Sequence, residues 1–194
     1  MESAKDDAAY RKERRIYELS QISTDGKTPH IDEGFKPFQV PFRHLCNLIQ
    51  IADGDIEKAL ADLAANENDF KPQHLQAIGT RAKCAKFWVE NCAPEDFRFR
   101  LLTAGEKPEH IFTDAEKNAV RILRDDVICK IEEFTDDKSC ASAIYAAAEK
   151  AKIDGKALFA AAYQALIGKD QGPRLANFLR SINKERLLSI LKDY

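Results

Sequence analysis

The sequence has no run of 18 apolar residues, and its first seven, Met1 to Asp7, carry nothing of the apolar stretch that a secretory signal needs. No membrane association is expected, and a cytoplasmic location is. Cysteines are few and poorly spaced for joint work. Cys46, Cys84, Cys92, Cys129 and Cys140 are odd in number, lie 38, 8, 37 and 11 residues apart, and form no C-x-x-C pair. Neither a disulfide scaffold nor a zinc ribbon is indicated, and no metal site is expected. Valine (4) and threonine (6) are scarce beside 27 alanines, a balance that favours helix over strand. The sequence also lacks G-x-x-x-x-G-K-[ST], G-x-G-x-x-G, G-x-S-x-G and H-E-x-x-H, so no catalytic residue is assigned and catalysis by this chain alone is not expected. Methionine occurs once, at Met1, which fits a start placed ahead of an internal segment of something longer.

What is present is ordinary globular material. In 194 residues, 44% are hydrophobic, and 30 basic against 32 acidic side chains leave a net charge of −2. A chain of this length buries roughly 70% of its unfolded surface, and a nucleic-acid surface on so balanced a chain must be local. Residues 3 to 21 read as a charged helix with sparse apolar positions. Residues 23 to 41 hold three prolines and two glycines and read as a linker. Pro41 suits a first helical turn, with Phe42, Leu45, Ile49 and Ala52 following at helical spacing to Gly54. Asp55 can cap a short helix bearing Ile56, Leu60 and Leu63, and Pro72 can open a long one running to Pro94.

Residues 97 to 112 break the pattern and predict an irregular connection. Thr113-Asp114-Ala115-Glu116 is a capping box, and behind it Val120, Leu123, Val127, Ile131 and Phe134 make one seam over about four helical turns. Three shorter helices are expected over 139–152, 154–167 and 173–182, with a last one over 184–192. The expected fold is all-α. The expected divisions are 1–40, a leading helix and linker; 41–112, a first helical subdomain; and 113–194, a second.

Charge is unevenly spread. Residues 125 to 137 hold six acids and one lysine, whereas residues 168 to 194 hold six bases, Lys169, Arg174, Arg180, Lys184, Arg186 and Lys192, against three acids. An anionic partner would prefer the C-terminal end, although helix C-termini attract lysine and arginine in any case. The segment Ile167-Gly168-Lys169-Asp170-Gln171-Gly172-Pro173-Arg174-Leu175 is more specific. Gly168 can end one helix left-handed, and Gly172-Pro173 can start the next with proline in first position. Such a loop gathers Lys169, Gln171 and Arg174, which suits a phosphate or an unstacked base, although spacing alone favours a plain helix–helix turn with surface charges.

Residues 157 to 175, followed by Phe178-Leu179 and Lys184-Glu185-Arg186-Leu187-Leu188, resemble the C-terminal end of class I lysyl-tRNA synthetases, and more loosely that of glutamyl-tRNA synthetases. Arg15-Ile16-Tyr17-Glu18-Leu19-Ser20, then Val40-Pro41-Phe42-Arg43-His44-Leu45 with Asp53-Gly54-Asp55-Ile56-Glu57, then Trp88-Val89 with Ala93-Pro94-Glu95, resemble the same family in the same order. The resemblance implies a helical cage that receives the tRNA anticodon. The ATP- and magnesium-dependent activation of lysine would lie in an N-terminal catalytic domain whose signatures are absent here. This chain would be an excised piece or a free-standing relative, with no cofactor of its own. Its implied partners are lysine tRNA and the missing catalytic domain. By the same resemblance Gly172, Pro173 and Leu175 lie against anticodon bases. Lys169, Gln171, Arg174 and Arg180 are expected beside them, with Arg81, Lys83 and Lys86 as further candidates for the tRNA backbone. The competing readings are a helical protein-interaction module without an RNA role, and the equivalent part of a glutamyl-tRNA synthetase.

Overall fold

In the computed structural model the described residues are Arg11, 40–66, Phe70 and 74–194. The helix expected over 3–21, where Arg11 alone is described and is helical, most of the linker, and the opening at Pro72 lie outside them. Residues 39–194 form one compact unit.

The first helix, α1 (Phe42–Ile51), begins one residue after the place expected for its proline. Pro41 is the cap, and its carbonyl accepts from the Leu45 N–H at 3.1 Å. Leu45, Leu48, Ile49 and Ile51 are buried, while Phe42 stays partly exposed and meets Trp88 edge-on at 5.7 Å. The helix ends in a turn at Asp53 (φ 56°) and Gly54 (φ 83°). Such a turn favours glycine, and it is clasped from two sides. Lys86 Nζ donates to the Gly54 carbonyl at 2.9 Å, and Arg186 donates to the Ile51 carbonyl at 2.6 Å and to Asp53 at 2.8 Å.

Asp55 caps α2 (Ile56–Asn66), accepting from the Lys58 N–H at 3.1 Å. Ala59 and Leu63 face inward from α2, and Ile78, Ala82, Ala85 and Val89 from α3 (Leu75–Asn91). These three helices pack on one another. Residues 92 to 113 are irregular, and the connection expected over 97–112 lies within them.

Thr113 and Glu116 close their capping box. The Thr113 N–H donates to the Glu116 carboxylate at 2.8 Å, and the Glu116 N–H donates to the Thr113 hydroxyl at 3.3 Å. The helix behind it departs from the expected regular rod. After α4 (Asp114–Ile122) the chain widens into a π-helical turn over Leu123–Val127 and tightens into a 3₁₀ segment over Ile128–Glu133. Through this stretch Leu123, Val127, Ile128 and Ile131 remain buried.

Next come α5 (Asp137–Ala151), capped by Asp136, and α6 (Gly155–Ile167), capped by Asp154 and ended by Gly168 at φ 66° as expected. α7 (Leu175–Arg180) and α8 (Lys184–Ile190) complete the described elements. α7 starts later than expected: Arg174 is its cap, and Pro173 lies before the cap rather than in the first helical position. Among the described residues there is no strand, and no helix is long and apolar enough to cross a membrane. One core runs through Leu123, Val127, Ile144, Leu158, Leu166 and Phe178, and takes in Ile51 of α1 and Leu101 and Leu102 of the connection. The Leu102 N–H donates to the Leu166 carbonyl at 2.8 Å, which holds the connection beside the end of α6.

Candidate nucleic-acid interface

The turn between α6 and α7 is shaped by two close approaches. A Cβ on Gly172 would stand 2.8 Å from two ring carbons of Tyr163, so glycine alone lets the main chain lie on that ring. The Tyr163 hydroxyl, buried with its ring, donates a short hydrogen bond to the Pro173 carbonyl. Burial pushes the phenol up to about 12, so it remains a neutral donor across the physiological range. Tyr163 in turn lies against Phe178, which meets Phe99 edge-on at 5.4 Å.

Opposite the turn stands the connection after α3. Lys169 spans the two, its ammonium donating to the carbonyls of Glu95 at 2.7 Å and Arg98 at 2.5 Å. Between them lies a groove of about 260 Å³. The turn contributes Lys169, Gln171, Gly172 and Pro173; the connection contributes Pro94, Asp96, Phe97 and Phe99; α1 contributes Arg43 and Asn47. Phe97 is held edge-on by Trp88 at 5.0 Å, with the Arg43 guanidinium 5.6 Å above its ring centre. An aromatic wall, a cation stacked on it and amide side chains together suit a flat, polar-edged ring.

The seven residues expected at the site part company here. Lys169, Gln171, Gly172 and Pro173 line the groove together. Arg174 is exposed just beyond it; its carbonyl accepts from the Phe178 N–H at 2.8 Å, while its side chain makes no hydrogen bond or ion pair among the described residues. Leu175 is buried in the core, and Arg180 turns to Asp137 (2.5 Å) and the Thr135 carbonyl (3.4 Å), so the structure does not bring these two into the groove. The C-terminal positive charge is largely spent within the chain, on Lys184–Glu132 at 3.5 Å and Arg186–Asp53 at 2.8 Å as well as on Arg180 and Lys169. Of the further candidates, Arg81 is held by the Val40 carbonyl at 2.8 Å and Lys86 by that of Gly54, while Lys83 is exposed.

All five cysteines are free thiols, and burial raises Cys46 to about 11. Among the described residues no three His, Cys, Asp or Glu side chains gather as metal ligands would.

No protein-family model matches the chain. Among curated proteins, the lysine–tRNA ligase of Treponema pallidum is 37% identical over 194 residues, which is 99% of this chain and 34% of that protein. The chain is a homologue of lysine–tRNA ligases. The lysine–tRNA ligase of Borreliella burgdorferi is 33% identical over 181 residues, 93% of this chain and 32% of its own length. That of Thermococcus kodakarensis is 33% identical over 195 residues, 99% and 35% respectively. The chain thus spans about a third of the lysine–tRNA ligases it matches. The resemblance drawn from four separated sequence stretches is borne out.

Sequence reasoning missed Arg43, Asn47, Phe97 and Phe99 as parts of this lysine–tRNA ligase homologue's groove. For two of them a signal was in view: Phe97-Arg98-Phe99-Arg100 interleaves aromatic and basic residues in a break between helices. For Arg43 and Asn47, one helical turn apart on α1, no local signal separates them from a solvated face.

Proposed function

We propose that this chain is the anticodon-binding portion of a cytoplasmic lysine–tRNA ligase, and that the groove between the 168–173 turn and the 94–99 connection receives an unstacked base of the tRNA loop. The observation that carries the reading is the meeting of that turn with an aromatic wall bearing a stacked guanidinium, in a chain homologous to these ligases over nearly its whole length. In this proposal the full enzyme joins lysine to its tRNA with ATP and magnesium in a catalytic domain, the partner of this chain. The described residues offer neither a metal-ligand cluster nor a phosphate-cradling glycine loop, so neither group is given a place here.

The role of this part is mechanical. Holding the anticodon on a rigid helical body sets the acceptor end at a distant active site. Arg174 and other exposed cations supply phosphate contacts, and the groove supplies preference among bases. With a net charge of −2, binding by this chain alone is weak. The test is the affinity of the 194-residue chain for lysine tRNA and for the same tRNA with an altered anticodon, at two salt concentrations. The unaltered anticodon is expected to bind more tightly at both, while affinity for both falls with salt. Equal binding of the two tRNAs would overturn the reading in favour of a protein-interaction module.

A further inference from the structure

Lys169 looks on sequence grounds like a phosphate contact, yet its ammonium points across the groove. The carbonyls it reaches, those of Glu95 and Arg98, lie on either side of Phe97 in the chain. The turn that carries them folds on itself, with the Phe97 and Arg98 N–H groups donating to the Pro94 carbonyl at 3.1 and 3.3 Å, and Arg98 Nε donating to the Ala93 carbonyl at 3.0 Å. Of the three N–H groups of the ammonium, two are therefore occupied by main-chain acceptors. The groove is mixed in character rather than a purely basic phosphate pocket. Asp96 sets a carboxylate beside the Arg43 and Lys169 cations of its lining, Asn47 and Gln171 add amide donors and acceptors, and Pro94, Phe97, Phe99, Ile167 and Pro173 supply apolar walls.

We propose that Lys169 is a positioning residue: its ammonium braces the aromatic wall against the α6–α7 turn and sets the groove to admit one uncharged nucleobase, leaving phosphates to cations outside it. This rests on the tRNA-binding reading above and adds the residue that presets the groove for the base. Preorganisation is the physical gain, since a wall already fixed loses little freedom when a base stacks on it.

Trp88 makes the proposal measurable. It is the single tryptophan of the chain and lies against Phe97, so its fluorescence reports the wall directly. Lys169→Met and Lys169→Arg are compared with the unmodified chain for helicity, Trp88 emission and affinity for lysine tRNA across a salt series. For a brace, Lys169→Met leaves helicity unchanged, shifts Trp88 emission in the free protein, and weakens binding by roughly tenfold with the slope of log affinity against log salt unaltered. For a direct phosphate contact, the slope becomes shallower by about 0.7 and Trp88 does not move, which overturns the proposal. No change in either quantity overturns it as well. If Lys169→Met fails to fold, Lys169→Arg decides. A guanidinium keeps the charge but is larger and planar where a compact ammonium fits between the Glu95 and Arg98 carbonyls, so for a brace Trp88 emission shifts and affinity falls at constant slope, whereas a phosphate contact keeps both. Should the unmodified chain ignore the anticodon while Trp88 still shifts in Lys169→Met, the brace stands and the failure falls on the functional reading alone.

Discussion

Gly172 has no room for a methyl group. An added Cβ would meet Tyr163 Cδ1 and Cε1 at 2.8 Å and Ile167 Cδ1 at 3.1 Å, and the Tyr163 ring cannot easily retreat because its hydroxyl is tied to Pro173 and its face lies against Phe178. Gly172→Ala is therefore expected to cost about 1–3 kcal/mol, the usual penalty of overpacking, measured by urea unfolding. A loss below about 0.5 kcal/mol would mean that the turn yields, and with it the case for a preset groove. The spacing of Gly168, Gly172 and Pro173 in the sequence already announces a turn. Its contact with Tyr163, nine residues earlier, is a tertiary fact that the local pattern does not hold. The same distinction explains Lys169. A lysine beside two glycines and an arginine reads as free charge until the segment 71–74 residues earlier in the chain is folded against it.

At the scale of the element, the helix behind Thr113 separates what a sequence shows from what packing adds. Its start was legible because a capping box is a local four-residue device. Its π-helical turn was not, because residues spaced three and four apart fit a uniform helix equally well and carry no mark of the wider turn. The box also sets a pH dependence. The Thr113 N–H donating to Glu116 is the largest influence on that carboxyl, with the Thr113 hydroxyl and the His110 imidazole adding to it, and together they hold it below its ordinary 4.5. A carboxyl depressed in the folded state stabilises the fold at pH values above its unfolded pKa, and that contribution is lost as pH falls through the folded value. Glu116→Gln should therefore be less stable than the unmodified chain at pH 7, and the gap should narrow as pH drops below 4.5. Urea midpoints at pH 7 and pH 3 measure it; a gap that is the same at both would show that the carboxylate charge contributes nothing to the cap.

At the scale of the whole molecule, the sequence suggests a division near residue 112, because helical periodicity stops there. The fold carries the core across that point: Ile51 of α1 and Leu101 and Leu102 of the connection belong to the same buried cluster as Val127 and Leu166, and Arg186 of α8 clasps the turn after α1. The groove depends on this continuity, since one wall comes from residues 43 to 99 and the other from residues 167 to 173. A base held between two independently mobile bodies would relay little to a distant active site, whereas one held between parts of a single cooperative unit fixes the orientation of the whole tRNA. Val127→Asp tests the cooperativity. Val127 is fully buried, and a carboxylate there has no partner, so the substitution should remove more than about 4 kcal/mol, a large part of what stabilises a domain of this size. Trp88 sits in α3, outside the helices that surround Val127, and reports the other side of the chain. In a single cooperative unit, Trp88 fluorescence and far-ultraviolet helicity are lost together, at the same lowered urea concentration. A Trp88 transition left at the parent midpoint while helicity falls early would show two subdomains that unfold separately, and the groove between them would then be a hinge rather than a fixed slot.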